Sequence, residues 1–427
     1  MTHRTILRLA IPSIIANITA PLMAMVDTAI VGHIGSAIYI AAIAVGGSLF
    51  NLLYWGFAFL RMGTSGMTAQ AYGAGDERER RVILQRSLFV AVGIGVVMIM
   101  LQRPLIHLIM RFMEVEGETA MLVETYCGIC IYGAPAMLST YAISGWFIGS
   151  QDTRRPMWIS IAVNVVNIVV SLVLVYLFDM SLKGVATGTL VAQWAGVILG
   201  VMFLWRGGVK ILGEEIRSVL DFKEMKRFFS VNTDIFLRTM CLMAVTLWFT
   251  RAGSLQGDVM LSVNAILMQF FIVFSYFIDG FAYAGEALAG RFTGARDEGN
   301  LRKATGMLFR WGWGIAAVFT AAYFFFGDIF LWCLSDNEAV RAASEPYIVW
   351  IALVPFAGVS AFIWDGIYIG MTRTRAMLLS MCLAMAVFFV VYFVLFPIYG
   401  NGALWFAFIV YLCVRGIVLW VVSKRIK

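Results

Sequence analysis

Gly73-Ala74-Gly75-Asp76-Glu77 recurs as Gly294-Ala295-Arg296-Asp297-Glu298, 221 residues farther along a chain of 427 residues. The same shift carries Gly32 onto Gly253, and Tyr126, Ala136, Ser139, Gly145, Ile148, Gly149, Thr153 and Arg154 onto Tyr347, Ala357, Ser360, Gly366, Ile369, Gly370, Thr374 and Arg375. One register held over that length marks an internal duplication, because self-similarity at a fixed shift is the signature of a repeat.

What is duplicated follows from composition. The chain is 61% hydrophobic and 13% charged, with a mean hydropathy of +0.86. Soluble domains carry roughly 25% charged residues. With 33 Phe, 24 Met and 13 Trp, most of the chain requires a lipid solvent. A crossing helix needs about 20 mostly apolar residues. Cutting the sequence at its polar and Gly/Pro-rich interruptions predicts twelve spans. Six lie in the first half, 6–31, 38–60, 82–101, 121–149, 157–178 and 184–205, and six in the second, 228–250, 259–290, 304–326, 346–370, 377–397 and 402–422. The first begins by Ile6 with no polar spacer and carries an acidic residue and two prolines rather than a small-residue cleavage site, so it reads as a retained span and not a signal peptide.

Six spans per half is an even number, so both halves enter the membrane from the same side and the repeats are parallel, related by a pseudo-two-fold axis along the membrane normal. The fold class is therefore an all-α membrane protein of twelve transmembrane helices in two six-helix lobes, residues 1–205 and 228–427, joined by a linker at 206–227. In that linker Ile211, Leu212, Ile216, Val219, Leu220 and Phe222 alternate with charged residues at helical spacing, predicting an amphipathic helix on the inner leaflet. With the N-terminus in the cytoplasm, only Arg103, Arg111, Lys183, Arg251 and Arg341 of the 32 Lys and Arg fall on the outer side. The positive-inside rule places both termini in the cytoplasm. The net charge of +7 is scattered between apolar runs, so nucleic acid is not an expected partner.

An ionisable group within a span costs at least ~2.5–3.5 kcal/mol on insertion scales, which makes each one a candidate for function. In the first half the main one is Asp27, a few residues inside the outer end of the first span. Burial disfavours a charged carboxylate, so this side chain can load and release a proton as its surroundings dry and wet. Pro21 removes the helical donor to the carbonyl of Asn17 and predicts a bend just below Asp27. Polar residues on spans five and six, Asn164, Asn167, Ser171 and Thr189, are possible neighbours; Asn and Ser also simply bond helices together. In the second half Asp234 and Arg238 lie one turn apart and can neutralise each other. Asp279 and Glu286 share a face two turns apart, and Asp365 lies at similar depth, as do Arg61 and Arg415. A structural ion-pair network and a second coupling site both fit that set.

Enzyme signatures are absent. His3, His33 and His107 have no metal-ligand spacing, and no phosphate-binding Gly-rich loop occurs, so neither a metalloenzyme nor an ATP-driven pump is indicated. Cys127-Gly-Ile-Cys130 has redox spacing but sits in an apolar helix without a second ligand pair, and reads as packing. No cofactor is expected, and energy must come from an ion gradient.

The residues resemble the MATE family of multidrug and toxic compound extrusion transporters, and within it the DinF branch. The likeness is carried by Pro21-Leu-Met-Ala-Met-Val-Asp27-Thr28, Phe59-Leu-Arg61-Met-Gly-Thr-Ser-Gly66, Asn232-Thr-Asp234-Ile-Phe-Leu-Arg238, Asp279-Gly-Phe-Ala-Tyr-Ala-Gly-Glu286 and Asp365-Gly-Ile-Tyr-Ile-Gly370. The resemblance implies twelve helices in two lobes of a bacterial inner-membrane antiporter that exports amphipathic, often cationic compounds against inward proton or sodium flow; a monomer is expected. The family's first-span aspartate corresponds to Asp27 and its sixth-span threonine to Thr189. Its fifth-span pattern of two asparagines followed by an acid matches Asn164 and Asn167 but meets Ser171 where the acid would stand. Losing that carboxylate weakens an oxygen cage for sodium at Asp27, Asn167, Ser171 and Thr189, which favours protons; sodium through amide and hydroxyl oxygens stays open. The rival reading is a flippase for lipid-linked sugars, which would need several basic residues for pyrophosphate where only Arg61, Arg238 and Arg415 are available. A passive channel requires no duplication.

Overall fold

The computed structural model describes residues 2–32, 37–112, 117–210 and 216–424. These form α1 (His3–Gly32), α2 (Ala37–Gly56), α3 (Phe59–Ala74), α4 (Glu77–Met100), α5 (Gln102–Phe112), α6 (Gly117–Cys130), α7 (Ala134–Gly149), α8 (Arg154–Tyr176) and α9 (Ser181–Arg206). They continue as α10 (Ile216–Val219), α11 (Phe222–Ser254), α12 (Asp258–Gly294), α13 (Glu298–Leu334), α14 (Glu338–Ser344), α15 (Ile348–Gly370), α16 (Thr374–Tyr399) and α17 (Asn401–Lys424). No strand occurs among the described residues. Eleven spans among them, with the α2–α3, α6–α7 and α14–α15 pairs each taken as one, are long and apolar enough to cross a membrane; α1 carries the remaining apolar stretch of the sequence. The chain packs as two compact units, one of Ile15–Phe229 and one of Met1–Ile14 with Ser230–Lys427.

The quoted repeat proves to be one turn built twice. Gly75 closes α3 at φ 73°, and the side chain of Asp76 then caps α4 by accepting the Glu79 N–H at 2.8 Å. In the second unit Asp297 caps α13 through the Asn300 N–H at 2.9 Å and also accepts Asn300 Nδ2 at 2.7 Å. Those bonds from Asn300 hold the Asp297 carboxyl below the usual carboxylate range. The residue before it, Arg296, adopts φ 55°. Where the first copy uses glycine at no steric cost, the second forces a Cβ into the left-handed region, at about 1–2 kcal/mol.

A second pair of equivalent features explains the spacing Gly145-x-x-x-Gly149 and Gly366-x-x-x-Gly370. In the first unit α7 lies along α3. A Cβ built at Gly145 would meet the Arg61 carbonyl oxygen at 2.3 Å, and one at Gly149 the Ser65 carbonyl oxygen at 2.5 Å. In the second unit α15 lies along α12, and the corresponding contacts are Gly366 on Ala282 O at 2.1 Å and Gly370 on Glu286 O at 2.3 Å. Each seam is backbone against backbone, the close approach that small residues permit between membrane helices. Gly145→Ala and Gly366→Ala are each expected to cost about 1–3 kcal/mol, as overpacking does. Gly47→Ala, with nothing within 4 Å, should be neutral; melting in detergent, followed by tryptophan fluorescence, separates the three.

The seam also corrects a boundary. The sequence reading ends the second span at residue 60, whereas α3 continues to Ala74 with Arg61, Thr64, Ser65 and Thr68 all buried. A polar helix is buried here because its backbone, not an apolar face, meets α7. The linker differs as well. Ile211 and Leu212 lie outside the described residues, and the rest is not one amphipathic helix: α9 stops at Gly207 and at Gly208, φ 71°, α10 is a single turn, and Asp221 Oδ1 starts α11 by accepting the N–H groups of Lys223 and Glu224 at 3.0 and 3.1 Å. The end of α10 is tied down by Arg86, 1% exposed, whose Nε donates to Val219 O at 3.0 Å and Nη2 to Ser218 O at 3.3 Å.

Candidate functional site

Asp27 lies on α1, and its side chain falls outside the described residues, as does His33. The polar residues expected around it divide into two groups. Asn164, on α8, donates Nδ2 to the Thr19 carbonyl of α1 at 2.8 Å. Beside it Thr19 Oγ1 and Ser160 Oγ share a hydrogen bond of 3.2 Å. This first group joins α8 to the middle of α1.

The second group is buried between α8 and α9. Asn167 donates Nδ2 to Thr189 Oγ1 at 3.1 Å, and Thr189 in turn donates to the Val185 carbonyl at 3.1 Å. Asn167 and Ser171 are fully shielded from solvent, yet Asn167 Oδ1 and Ser171 Oγ have no hydrogen-bond partner. Gly188 lets the helices close there, since a Cβ at that position would come within 2.1 Å of Ser171 Oγ. Leaving a buried polar atom unpaired costs about 1–3 kcal/mol, so two such oxygens side by side are a feature that packing alone does not account for.

In the second unit the charges arrange differently from the reading of spacing. Asp234 and Arg238 are not a pair. Asp234 Oδ2 accepts the Thr374 hydroxyl at 2.7 Å, and Arg238 on α11 reaches across to Asp365 on α15. Arg415 on α17 binds the same Asp365 oxygen through Nη2 at 2.6 Å. One carboxylate thus joins three helices. Asp279 acts on Arg415 electrostatically, and the Arg415 guanidinium stacks at 5.4 Å over Tyr411 and 5.8 Å over Phe362. Glu286, 1% exposed, lies two turns along α12 from Asp279, where its own carbonyl meets Gly370. Arg61 is buried on α3 in the other unit. The helix-to-helix partners could not be read from spacing, because the bonds from Asp365 span 127 and 50 residues of chain.

Cys127 and Cys130 are both buried, and Cys130 Sγ donates to the Ala186 carbonyl at 3.7 Å, as a packed thiol does. Gln193 and Tyr54 escaped the sequence reading. The available signal was Gln193 itself, a lone amide one turn beyond Thr189 on the same face of an apolar span.

Comparison with known proteins gives the family. The MatE family model matches residues 12–173 and again 234–395, one match per repeat. The chain is 33% identical over 428 residues to the DNA damage-inducible protein F of Escherichia coli (strain K12), covering 99% of this chain and 92% of that one. It is 24% identical to a probable multidrug resistance protein NorM of Thermotoga maritima, over 84% of this chain and 76% of the relative. Among solved structures, a MATE protein described in a bent conformation aligns with a TM-score of 0.90 at 19% identity, over 99% of this chain and 94% of that one. An outward-facing multidrug resistance MATE family transporter aligns with a TM-score of 0.88 at 18% identity, over 99% and 95%. The matched halves and the near end-to-end relative together make this chain a member of the MatE family, a multi-pass membrane transporter of the multidrug and toxic compound efflux class rather than an enzyme.

Proposed function

We propose that the protein is a secondary antiporter which exports amphipathic, cationic organic compounds in exchange for protons, with Asp27 as the proton carrier, and that it works in a bacterial inner membrane by alternating access of its two halves. The observation that carries the proton reading is the pair of neutral oxygens, Asn167 Oδ1 and Ser171 Oγ, buried and unpaired between α8 and α9. Sodium needs several oxygen donors, and charged ones bind hard cations best. Here the position that would supply a second carboxylate is a serine. A neutral acceptor and a hydroxyl suit a proton that is handed on more than an ion that must be caged.

Uptake of a lipophilic cationic dye into proteoliposomes tests this directly. An imposed proton gradient is expected to drive transport at matched sodium, and a sodium gradient at matched pH to drive none. Transport driven by sodium alone would overturn the coupling, and transport of a lipid-linked pyrophosphate with no dye movement would replace the antiporter by a flippase.

A further inference from the structure

The unpaired oxygens between α8 and α9 are not isolated. One turn along α9 from Thr189, Gln193 is 8% exposed and its Oε1 has no hydrogen-bond partner. Across from it on α2, Tyr54 is 6% exposed and its hydroxyl is likewise unpaired. The Tyr54 hydroxyl faces the Gln193 amide, with Tyr141 and Cys130 beside the phenol, yet the two do not close a hydrogen bond of ordinary geometry. Gly133 makes room for the amide: a Cβ there would fall 1.6 Å from Gln193 Oε1. Four unpaired polar atoms therefore follow one another through a single unit, Ser171 Oγ, Asn167 Oδ1, Gln193 Oε1 and Tyr54 Oη. Along α9 the row covers about 7.5 Å, from Gly188 to Gln193 at 1.5 Å per residue.

Scattered unpaired atoms are expected at a rate of a few per hundred residues; a row of them is not. Each can accept a hydrogen bond, and the two hydroxyls can also donate. Buried polar sites of this kind are where proteins hold structural water, which requires two to four polar partners. By the orientation that the basic residues indicate, Ser171 lies nearer the outer face, while Gln193 lies near the middle of α9 and Tyr54 near the middle of the α2–α3 span. The row runs in the direction that an inward-moving proton must take.

We infer that Gln193 and Tyr54 are positioning residues of an internal proton relay, which holds water between the α8–α9 pocket and the middle of the first unit. A hop adds one proton to a water or hydroxyl oxygen at one end and releases a different proton from the same oxygen at the other, so each member ends in its starting protonation state and one proton has advanced. Gln193 supplies a fixed acceptor that orients the water and is not itself protonated. Tyr54 passes the proton on through its hydroxyl. The inference rests on the proton-coupled reading above.

The test uses the full-length protein in proteoliposomes, with the same cationic dye. For Gln193→Leu and for Tyr54→Phe, which is nearly isosteric, the ratio of proton-gradient-driven uptake to dye–dye exchange without a gradient should fall about tenfold. Gln193→Glu, which keeps an oxygen at the same place, should recover most of it. A purely structural role predicts instead that uptake, exchange and melting temperature fall together, and that result overturns the relay. So does an unchanged ratio in both variants. If the unmodified protein is driven by sodium alone, both this inference and the proton coupling fail; if it is proton-driven and the variants are normal, only the relay does.

Discussion

Asp365→Ala is expected to destabilise the protein by about 3–5 kcal/mol, the usual cost of removing one partner from a buried charge cluster. Two guanidiniums converge on one oxygen of this carboxylate, from Arg238 and from Arg415. Both arginines are more than nine-tenths buried, so neither can turn to water when the carboxylate is gone. Asp279 offsets part of the loss for Arg415, on which it already acts. The measurement is melting in detergent beside dye efflux in cells. Transport should fall in step with the amount of folded protein. A triple variant, Asp365→Leu with Arg238→Met and Arg415→Met, removes all three charges and should regain most of the stability, since well-packed apolar groups often replace a buried ionic cluster without loss. If Asp365→Ala melts normally and yet transports nothing, the cluster is a coupling site and its structural assignment is wrong.

Asp27→Asn should reduce proton-driven export to background while leaving membrane insertion and melting unchanged. The amide has the shape of the carboxyl group but cannot take up or release a proton in the relevant range, and being neutral it carries no charge-burial cost of its own. Dye binding without a gradient should persist. Proton-gradient transport that survives in this variant would remove Asp27 from its proposed role, whatever the relay residues do.

The parts of the molecule that the sequence disclosed are those governed by solvent and repetition. Apolar length gave the helices, and the shift of 221 residues gave the duplication that the family model matches in each half. What stayed hidden depends on which helix lies beside which. Asp234 and Arg238 look like partners because four residues is one turn, yet their bonds go to Thr374 and Asp365, on other helices. The second span reads as ending at residue 60, while it continues through α3, whose burial is made possible by glycines on α7 that no local pattern around Arg61 reveals. Gln193 and Tyr54 sit among apolar neighbours and read as filler until their unpaired atoms are seen together.

The glycine seams have a consequence for how such a protein can diverge after its gene doubles. Arg296 has drifted from the Gly75 of the other copy, because a loop absorbs a little backbone strain. At 145, 149, 366 and 370 the obstacle is a carbonyl oxygen less than 3 Å from the place where a methyl would stand, and a carbonyl has no rotamer to yield. Each copy inherited the same ban on side chains, and neither can lift it alone without prising two helices apart.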